Sequence, residues 1–289
     1  MEPKVIYIET TNLCNAKCIM CPHEKLNRQP AIMTDDLFVK AIDECKKLDL
    51  KNAQFFLHKE GEPLMDPRIM TRLRIAATSL AKNNEVGINT NASLFNNSMA
   101  EEFLESGANV IFFSVDGTNK EEYEKIRVNL QYEVVENNIR YFLERCQEAN
   151  ANIRVVMQML VGSKDENKAQ AFIEKWREYP CELYIKRMHG YLDGGRSSQT
   201  SELKNEQINI CVDPFRLMVI YTNGNVGLCC WDYNNEYCIG NICDSSLTDL
   251  FNNEKAKALR RAIIKRECSN VIPCNRCAKV FGNDKITPW

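Results

Sequence analysis

An α/β fold is what the sequence predicts: an open barrel of strand–helix units, followed by a small unit built from a β-hairpin and a helix. Three observations predict it. Short apolar runs alternate with longer stretches of helical periodicity through the N-terminal part of the 289 residues. Polar, chemically loaded residues come directly after those runs. The alternation then breaks in a polar, glycine-containing stretch at residues 190–209, beyond which lie more than half of the fourteen cysteines.

The strand candidates, in order, are VIYIET (residues 5–10), AQFFLH (53–58), VGINT (86–90), VIFFSV (110–115), IRVVMQML (153–160) and ELYIKR (182–187). Helical patterns fall at 34–48, 67–82, 98–106, 132–148 and 168–179. In the first, Leu37, Ala41, Cys45 and Leu48 recur at helical spacing behind Thr34, a good N-cap. In the fourth, Val135, Ile139, Phe142 and Cys146 do the same, so Cys45 and Cys146 read as small core residues. Strands alternating with helices imply a parallel sheet with right-handed crossovers. Six strands are too few to close an eight-stranded barrel, so the expectation is a partial (β/α)6 TIM-like barrel. Its active-site residues belong at the strand C-terminal ends. The segments KEGEPLMDP (59–67), NTNAS (89–93) and SVDG (114–117) all follow strands and converge on one mouth.

Beyond the break, FRLMVIYTNGNVGLCC (215–230) reads as a hairpin turned at Asn223-Gly224. A helix is expected at 247–265, and CSNVIPCNRC (268–277) follows. The organisation expected is a barrel over 1–190, a linker or long loop over 191–210 and a cysteine-rich unit over 211–289.

Composition excludes several classes of function. A net charge of -2 points to no polyanionic partner, and LRRAIIKR (259–266) reads as a solvated helix face rather than a nucleic-acid patch. The start MEPKVIYIETT lacks the long apolar core of a signal peptide, and no stretch has the apolar length of a membrane span. The expected compartment is the reducing cytoplasm, where clustered cysteines bind metal or do redox work.

Three of those cysteines, Cys14, Cys18 and Cys21, follow the first strand in a C-x3-C-x2-C spacing with no fourth beside them. A disulfide needs two thiols and a closed tetrahedral site needs four. An iron–sulfur cubane on three thiolates leaves one iron open to a substrate or cofactor.

CNAKCIMC resembles the cluster motif of the radical S-adenosylmethionine (SAM) enzymes, and further segments extend the resemblance along most of the chain. Gly61, Glu62 and Pro63 resemble the stretch that meets the SAM amino group, with Glu60 where many members have a glycine. Thr90 and Asn91 in TNAS, and Ser114 and Asp116 in SVDG, resemble segments near the ribose and the methionine end of SAM. Met20 holds the place of a large side chain against adenine, and Gln158 on the fifth strand joins the set facing cofactor or substrate. The resemblance implies reductive cleavage of SAM and a 5′-deoxyadenosyl radical that takes a hydrogen atom from the substrate. It also implies an external one-electron donor such as flavodoxin or ferredoxin.

In the C-terminal part, Cys211, Gly224-x4-Cys229 and Cys274-x2-Cys277 resemble the SPASM extension in its shortened "twitch" form. The resemblance implies one auxiliary 4Fe–4S cluster on Cys211, Cys229, Cys274 and Cys277, two clusters in all. A structural zinc knot is the alternative use of those thiols. Between Cys229 and Cys230 the Gly-x4-Cys spacing favours Cys229, since neighbouring strand side chains point apart.

Three fates are open to the substrate radical. Loss of a proton and an electron turns an alcohol into a ketone, as in the cyclitol dehydrogenases of this architecture; this is the leading expectation, on a sugar- or cyclitol-like small molecule. Return of a hydrogen atom from a thiol, with Cys230 as a candidate donor, gives epimerisation of a sugar or peptide. Cross-linking of a peptide is the third, for which the chain offers no binding domain. Gln158, Lys186, Arg187 and His189 are candidates to face the substrate, and Arg187 or His189 to accept the hydroxyl proton. His23, beside the cysteine loop, is a candidate to reach SAM or substrate.

Overall fold

The computed structural model describes residues 1–162, 166–187 and 210–281. Six strands follow one another as β1 (Val5–Ile8), β2 (Gln54–Phe56), β3 (Glu85–Thr90), β4 (Val110–Ser114), β5 (Arg154–Val161) and β6 (Glu182–Arg187). Between them run α1 (Asp35–Lys47), α2 (Ile69–Leu80), α3 (Asn97–Glu105), α4 (Lys120–Ile126), α5 (Tyr132–Glu148) and α6 (Glu166–Trp176). Every pairing from β1 to β6 is parallel, in the order β6-β5-β4-β3-β2-β1, as consecutive right-handed units require. The observed α/β architecture is the partial barrel expected.

Local chemistry explains where the helices begin. Thr34, Asn96 and Asn119 each accept a hydrogen bond from a backbone N–H in the first turn of the helix that follows. The sequence reading missed α4, whose pattern is mostly charged. Its signal is a polar cap three residues before an acid, Asn119 with Glu122.

Side chains alternate between the helix side of the sheet and the lumen. On the helix side, Phe95, Phe103, Phe113 and Phe142 meet edge to face or tilted, all fully buried. Burying each contributes about 1.5–3 kcal/mol. In the lumen, Val5, Phe56 and Val110 pack with Tyr7 and Phe112 and fill the barrel below its mouth. At the N-terminal end Arg154 bridges Glu85 and Glu182.

The C-terminal part does not stand apart from this sheet. The short helix α7 (Asp213–Arg216) leads into β7 (Leu217–Ile220), which pairs in parallel with β1 over its whole length. Strands β8 (Asn225–Gly227) and β9 (Gly240–Asn241) continue it antiparallel. The hairpin is therefore shorter than its expected span, because Phe215 and Arg216 are spent on α7. Gly224, at φ +82°, makes its turn. The single helix expected at 247–265 is two, α8 (Leu247–Asn252) and α9 (Glu254–Lys265), with Asn253 extended between them and capping the second. A one-turn helix, α10 (Ala278–Phe281), ends the described chain. Of the expected linker 191–210, all but its last residue lies outside the described residues.

Candidate active site

The site is built at the C-terminal ends of the barrel strands. After β1 the chain buries Glu9, Thr10, Thr11 and Asn12, then opens into the loop that carries the three cysteines. Asn12 closes the loop's base, donating from Nδ2 to Gln29 O (2.8 Å) and accepting from Ala31 N at Oδ1 (2.7 Å). The middle of the loop is laddered onto the end of α4 and the residues after it: Lys17 N donates to Val128 O (2.9 Å) and Ile19 N to Ile126 O (3.0 Å). This places Arg127 with Nη1 3.6 Å from Cys18 Sγ.

Burial pushes the Cys14 and Cys21 thiols up to about 11, and each stands in the field of the other loop cysteines. Such thiols become ligands only when a cation compensates the thiolate charge. Among the described residues no three thiol, imidazole or carboxylate groups already converge on one point at ligating distance. The ligand sets are therefore argued from chain position, burial and mutual field.

The β2 loop lies directly on this cysteine loop. A Cβ at Gly61 would stand 2.5 Å from Thr11 O and 2.6 Å from Leu13 O, so only glycine fits. Glu62 N then donates to Leu13 O (2.8 Å). The Glu62 carboxylate is turned into the protein, accepting from Thr90 Oγ1 (2.5 Å), Asn91 N (2.8 Å) and Leu64 N (3.2 Å). Burial raises it to about 6, against the pull of those donors. Pro63 starts a single 3-10 turn behind it. Asn91 Nδ2 reaches across to Asn15 Oδ1 (3.0 Å), beside Cys14. Glu62, Thr90 and Asn91 thus join the β2, β3 and cysteine loops into one rim.

The remaining expected residues divide in two. Ser114, the last residue of β4, donates to Asn89 Oδ1 (2.8 Å), and Gln158 is its register partner in the middle of β5. Met20 is buried in the core beneath the cysteine loop. Asp116 is 1% exposed, and its carboxylate holds Arg127 (2.7 Å to Nε, 2.6 Å to Nη2) and Leu160 N (2.8 Å). It braces the arginine that meets Cys18 instead of offering an open carboxylate. His23 Nε2 lies 2.8 Å from Asn12 O, beside the cysteine loop. Arg187 ends β6 opposite Val161, and its side chain lies outside the described residues, as does all of His189.

Within the mouth, Tyr7 and His58 pack ring to ring at 5.2 Å. His58 Nδ1 accepts from Asn89 N (3.0 Å), and burial together with Lys59 and Lys186 lowers it to about 3. The ring is neutral, with its proton on Nε2. Burial lowers Lys186 to about 7. Lys59 pairs with Glu60 and donates to Cys230 O (3.0 Å). Glu9, fully buried, binds Arg28 with both oxygens (2.6 and 2.7 Å) and accepts from Thr222 N (3.2 Å), while Arg28 Nε donates to Tyr233 O (2.8 Å). This set ties the mouth to the C-terminal part.

That part holds the other thiols. Cys229 is raised by burial and by the fields of Cys230, Asp213 and Cys277; Cys211 by burial and the fields of Asp213 and Cys277. Cys274 is pushed up to about 12 by burial, Cys277 and Cys268. Cys211, Cys229, Cys274 and Cys277 therefore share one electrostatic neighbourhood, with Cys268 beside it. Cys230 lies beside this group and is the first charge that acts on Cys229. Its Sγ lies 3.2 Å from Asp213 Oδ2 and 3.2 Å from Lys279 Nζ, which themselves pair at 2.6 Å. It is half-buried, and Tyr7, Lys59 and Lys186 all stand in its field. Asp213 and Lys279 each follow a neighbourhood cysteine by two positions, Cys211-x-Asp213 and Cys277-x-Lys279. Sequence reasoning missed both, along with Glu9, Arg28 and Arg127. That repeated spacing was the available signal.

The fold and this arrangement define an enzyme that combines SAM with iron–sulfur clusters at the mouth of a partial barrel. The model described as "Radical SAM superfamily" matches residues 8–174, more than half of the chain, and the chain belongs to that superfamily. The "Iron-sulfur cluster-binding domain" model, SPASM, matches residues 211–282. SAM and two iron–sulfur clusters are its cofactors. The S-adenosyl-L-methionine-dependent 2-deoxy-scyllo-inosamine dehydrogenase of Niallia circulans is 22% identical over 278 residues, 96% of this chain and 93% of that protein. A tungsten-containing aldehyde ferredoxin oxidoreductase cofactor-modifying protein of Pyrococcus furiosus is 32% identical over 114 residues; the chain spans 31% of its length. Among solved structures, BtrN in complex with AdoMet and 2-DOIA aligns at a TM-score of 0.62 and 18% identity, over 98% of this chain and 94% of the other. Streptococcus suis SuiB bound to precursor peptide SuiA aligns at 0.71 and 15%, over 96% and 70%. These structures share the fold. Among the described residues no helix is long and apolar enough to cross a membrane.

Proposed function

We propose that this radical SAM enzyme oxidises a secondary alcohol of a sugar- or cyclitol-like small molecule to a ketone. The observation that carries the reading is the likeness to a cyclitol dehydrogenase over 96% of this chain and 93% of the relative, which runs through both cysteine groups. When bound, SAM with its cluster supplies abstraction of a hydrogen atom, and the auxiliary cluster supplies an acceptor for one electron. Cys14, Cys18 and Cys21 would hold the first cluster. The rim of Gly61, Glu62, Pro63, Thr90 and Asn91, with Met20, Ser114, Asp116 and Gln158, would seat or brace SAM. Cys211, Cys229, Cys274 and Cys277 would hold the second cluster, each as a 4Fe–4S centre. The apolar lumen floor of Tyr7, Phe56 and Phe112 excludes water from below. His58 Nε2–H is a donor to a substrate oxygen. Lys186, held near neutrality, takes the proton that the hydroxyl gives up. A flavodoxin or ferredoxin is the proposed electron donor to the first cluster.

Epimerisation is the second reading, and the placement of Cys230 favours it. The thiol touches Asp213 and Lys279 and acts on Tyr7, Lys59 and Lys186 at the mouth as well as on Cys229. It would return a hydrogen atom to the substrate carbon. The deciding experiment incubates the reduced, reconstituted enzyme with cyclitols and amino sugars in deuterated water. One carbonyl per 5′-deoxyadenosine, with no deuterium at carbon, is the result expected. Deuterium at carbon without a carbonyl, lost in Cys230→Ala, would replace oxidation by epimerisation.

A further inference from the structure

The loop of Cys14, Cys18 and Cys21 receives a cation from a distant part of the chain. Arg127 is the C-cap of α4, where the backbone leaves the helix at φ -98° and ψ 62°. Its N–H donates to Tyr123 O (2.7 Å), and its carbonyl accepts from Leu130 N (3.1 Å). The residues on either side of it, Ile126 and Val128, accept from Ile19 N and Lys17 N, the two neighbours of Cys18. Backbone bonds on both sides therefore set Arg127 opposite Cys18. The side chain is held as firmly. Asp116 Oδ2 receives Nε (2.7 Å) and Nη2 (2.6 Å), while Oδ1 accepts from Leu160 N (2.8 Å). A Cβ at Gly117 would stand 2.8 Å from the Tyr123 backbone, so the SVDG turn lies directly against α4 and brings Asp116 within reach. The third guanidinium nitrogen, Nη1, lies 3.6 Å from Cys18 Sγ. All three partners are shielded from water: Asp116 is 1% exposed, Cys18 8% and the Arg127 side chain 12%. Cys14 and Cys21 stand in the arginine's field as well.

We propose that Arg127 is a positioning residue that raises the reduction potential of the first cluster, by donating from Nη1 to the Cys18 sulfur and holding a permanent positive charge beside it. The inference goes beyond the fate of the substrate radical and applies to oxidation and epimerisation alike. Reduction by an external one-electron donor adds one negative charge to the cluster, and no proton or group moves. A hydrogen bond to a ligand sulfur and a nearby cation both stabilise the more negative state. Arginine suits the task because its charge does not titrate away, and its planar fork lets one carboxylate hold two nitrogens while the third faces sulfur. Asp116 acts in the opposite sense. It aims the guanidinium and offsets part of its charge, so the pair trims the potential as well as the geometry.

The test is a redox titration of the reconstituted holoenzyme, without substrate, followed by electron paramagnetic resonance. The first cluster is the one whose signal changes when SAM is added. The parent is compared with Arg127→Gln, Arg127→Lys and Asp116→Asn. Arg127→Gln is expected to make the first cluster about tenfold harder to reduce, a fall of about 59 mV for a one-electron couple. Arg127→Lys keeps the charge and should recover part of that fall. Asp116→Asn should shift the potential upward, because the cation loses its counter-charge. The second cluster should keep its potential in all three. An unchanged potential in Arg127→Gln would overturn the proposal, and weaker SAM binding alongside it would assign the arginine to SAM instead. A downward shift in Asp116→Asn as well as in Arg127→Gln would also overturn it, since a loosened loop would then explain both. If Arg127→Gln fails to keep its first cluster, the opposite signs expected of Arg127→Lys and Asp116→Asn still decide the matter. The readout is a potential, so the presence or absence of ketone in the substrate assay bears on the dehydrogenase reading alone.

Discussion

Gly61 shows how little space separates the β2 loop from the cysteine loop. A methyl group there would press on the carbonyls of Thr11 and Leu13, both backbone atoms with nowhere to move. Gly61→Ala is expected to cost about 1–3 kcal/mol of stability and to weaken SAM binding; a melting curve and a SAM titration check it. On the dehydrogenase proposal, Lys186 carries the pH dependence. Burial lowers it to about 7, so the neutral amine able to take a proton grows as pH rises through that value. Ketone formation should rise from pH 6 to 8 and then level off. In Lys186→Met that limb should vanish, with kcat down by about 10²-fold or more. The stability term has the same sign. Between about 7 and the ordinary lysine value the folded chain binds fewer protons than the unfolded one, so stability rises with pH across that window. Cysteine identity and spacing were legible at this scale. The partners of Glu62 and Asp116 were not, because the sequence marks a carboxylate but not the donors that a fold turns toward it.

Among the elements, most strands and helices of the barrel were legible from period, and three features of the chain were not. Helix α4 has only Tyr123 buried, so no apolar stripe announces it; its cap does. The break between α8 and α9 is made by one residue. Asn253, extended at ψ 172°, accepts from Ala256 N and donates from Nδ2 to Ile239 O (2.7 Å). Asn253→Ala should lose about 1 kcal/mol and lower the thermal midpoint by about 2–4 °C, measured by calorimetry. Strand β7 was expected as one arm of a separate hairpin. Its four consecutive buried residues, Leu217 to Ile220, are the mark of a strand covered on both faces, and it pairs with β1.

For the whole molecule, the two cysteine groups make a stoichiometric prediction. Anaerobic reconstitution should give about eight irons per chain, falling to about four in a Cys14→Ala/Cys18→Ala/Cys21→Ala variant. Cys229→Ala should also fall to about four, whereas Cys230→Ala should keep about eight. Iron analysis with electron paramagnetic resonance reads both. Zinc in place of the second four irons would turn the C-terminal thiols into a structural knot and remove the electron acceptor from the dehydrogenase reading.

By itself the sequence determined the order of the barrel strands, most of the helices, the barrel class, and both cysteine groups, because periodicity and short spacings are local properties of a chain. Tertiary structure alone decided that β7 extends the barrel sheet, that Arg127 meets Cys18, and that Asp213 and Lys279 enclose Cys230. Those contacts join residues far apart in the chain, and their chemistry is set by burial and by the charges that packing brings within reach.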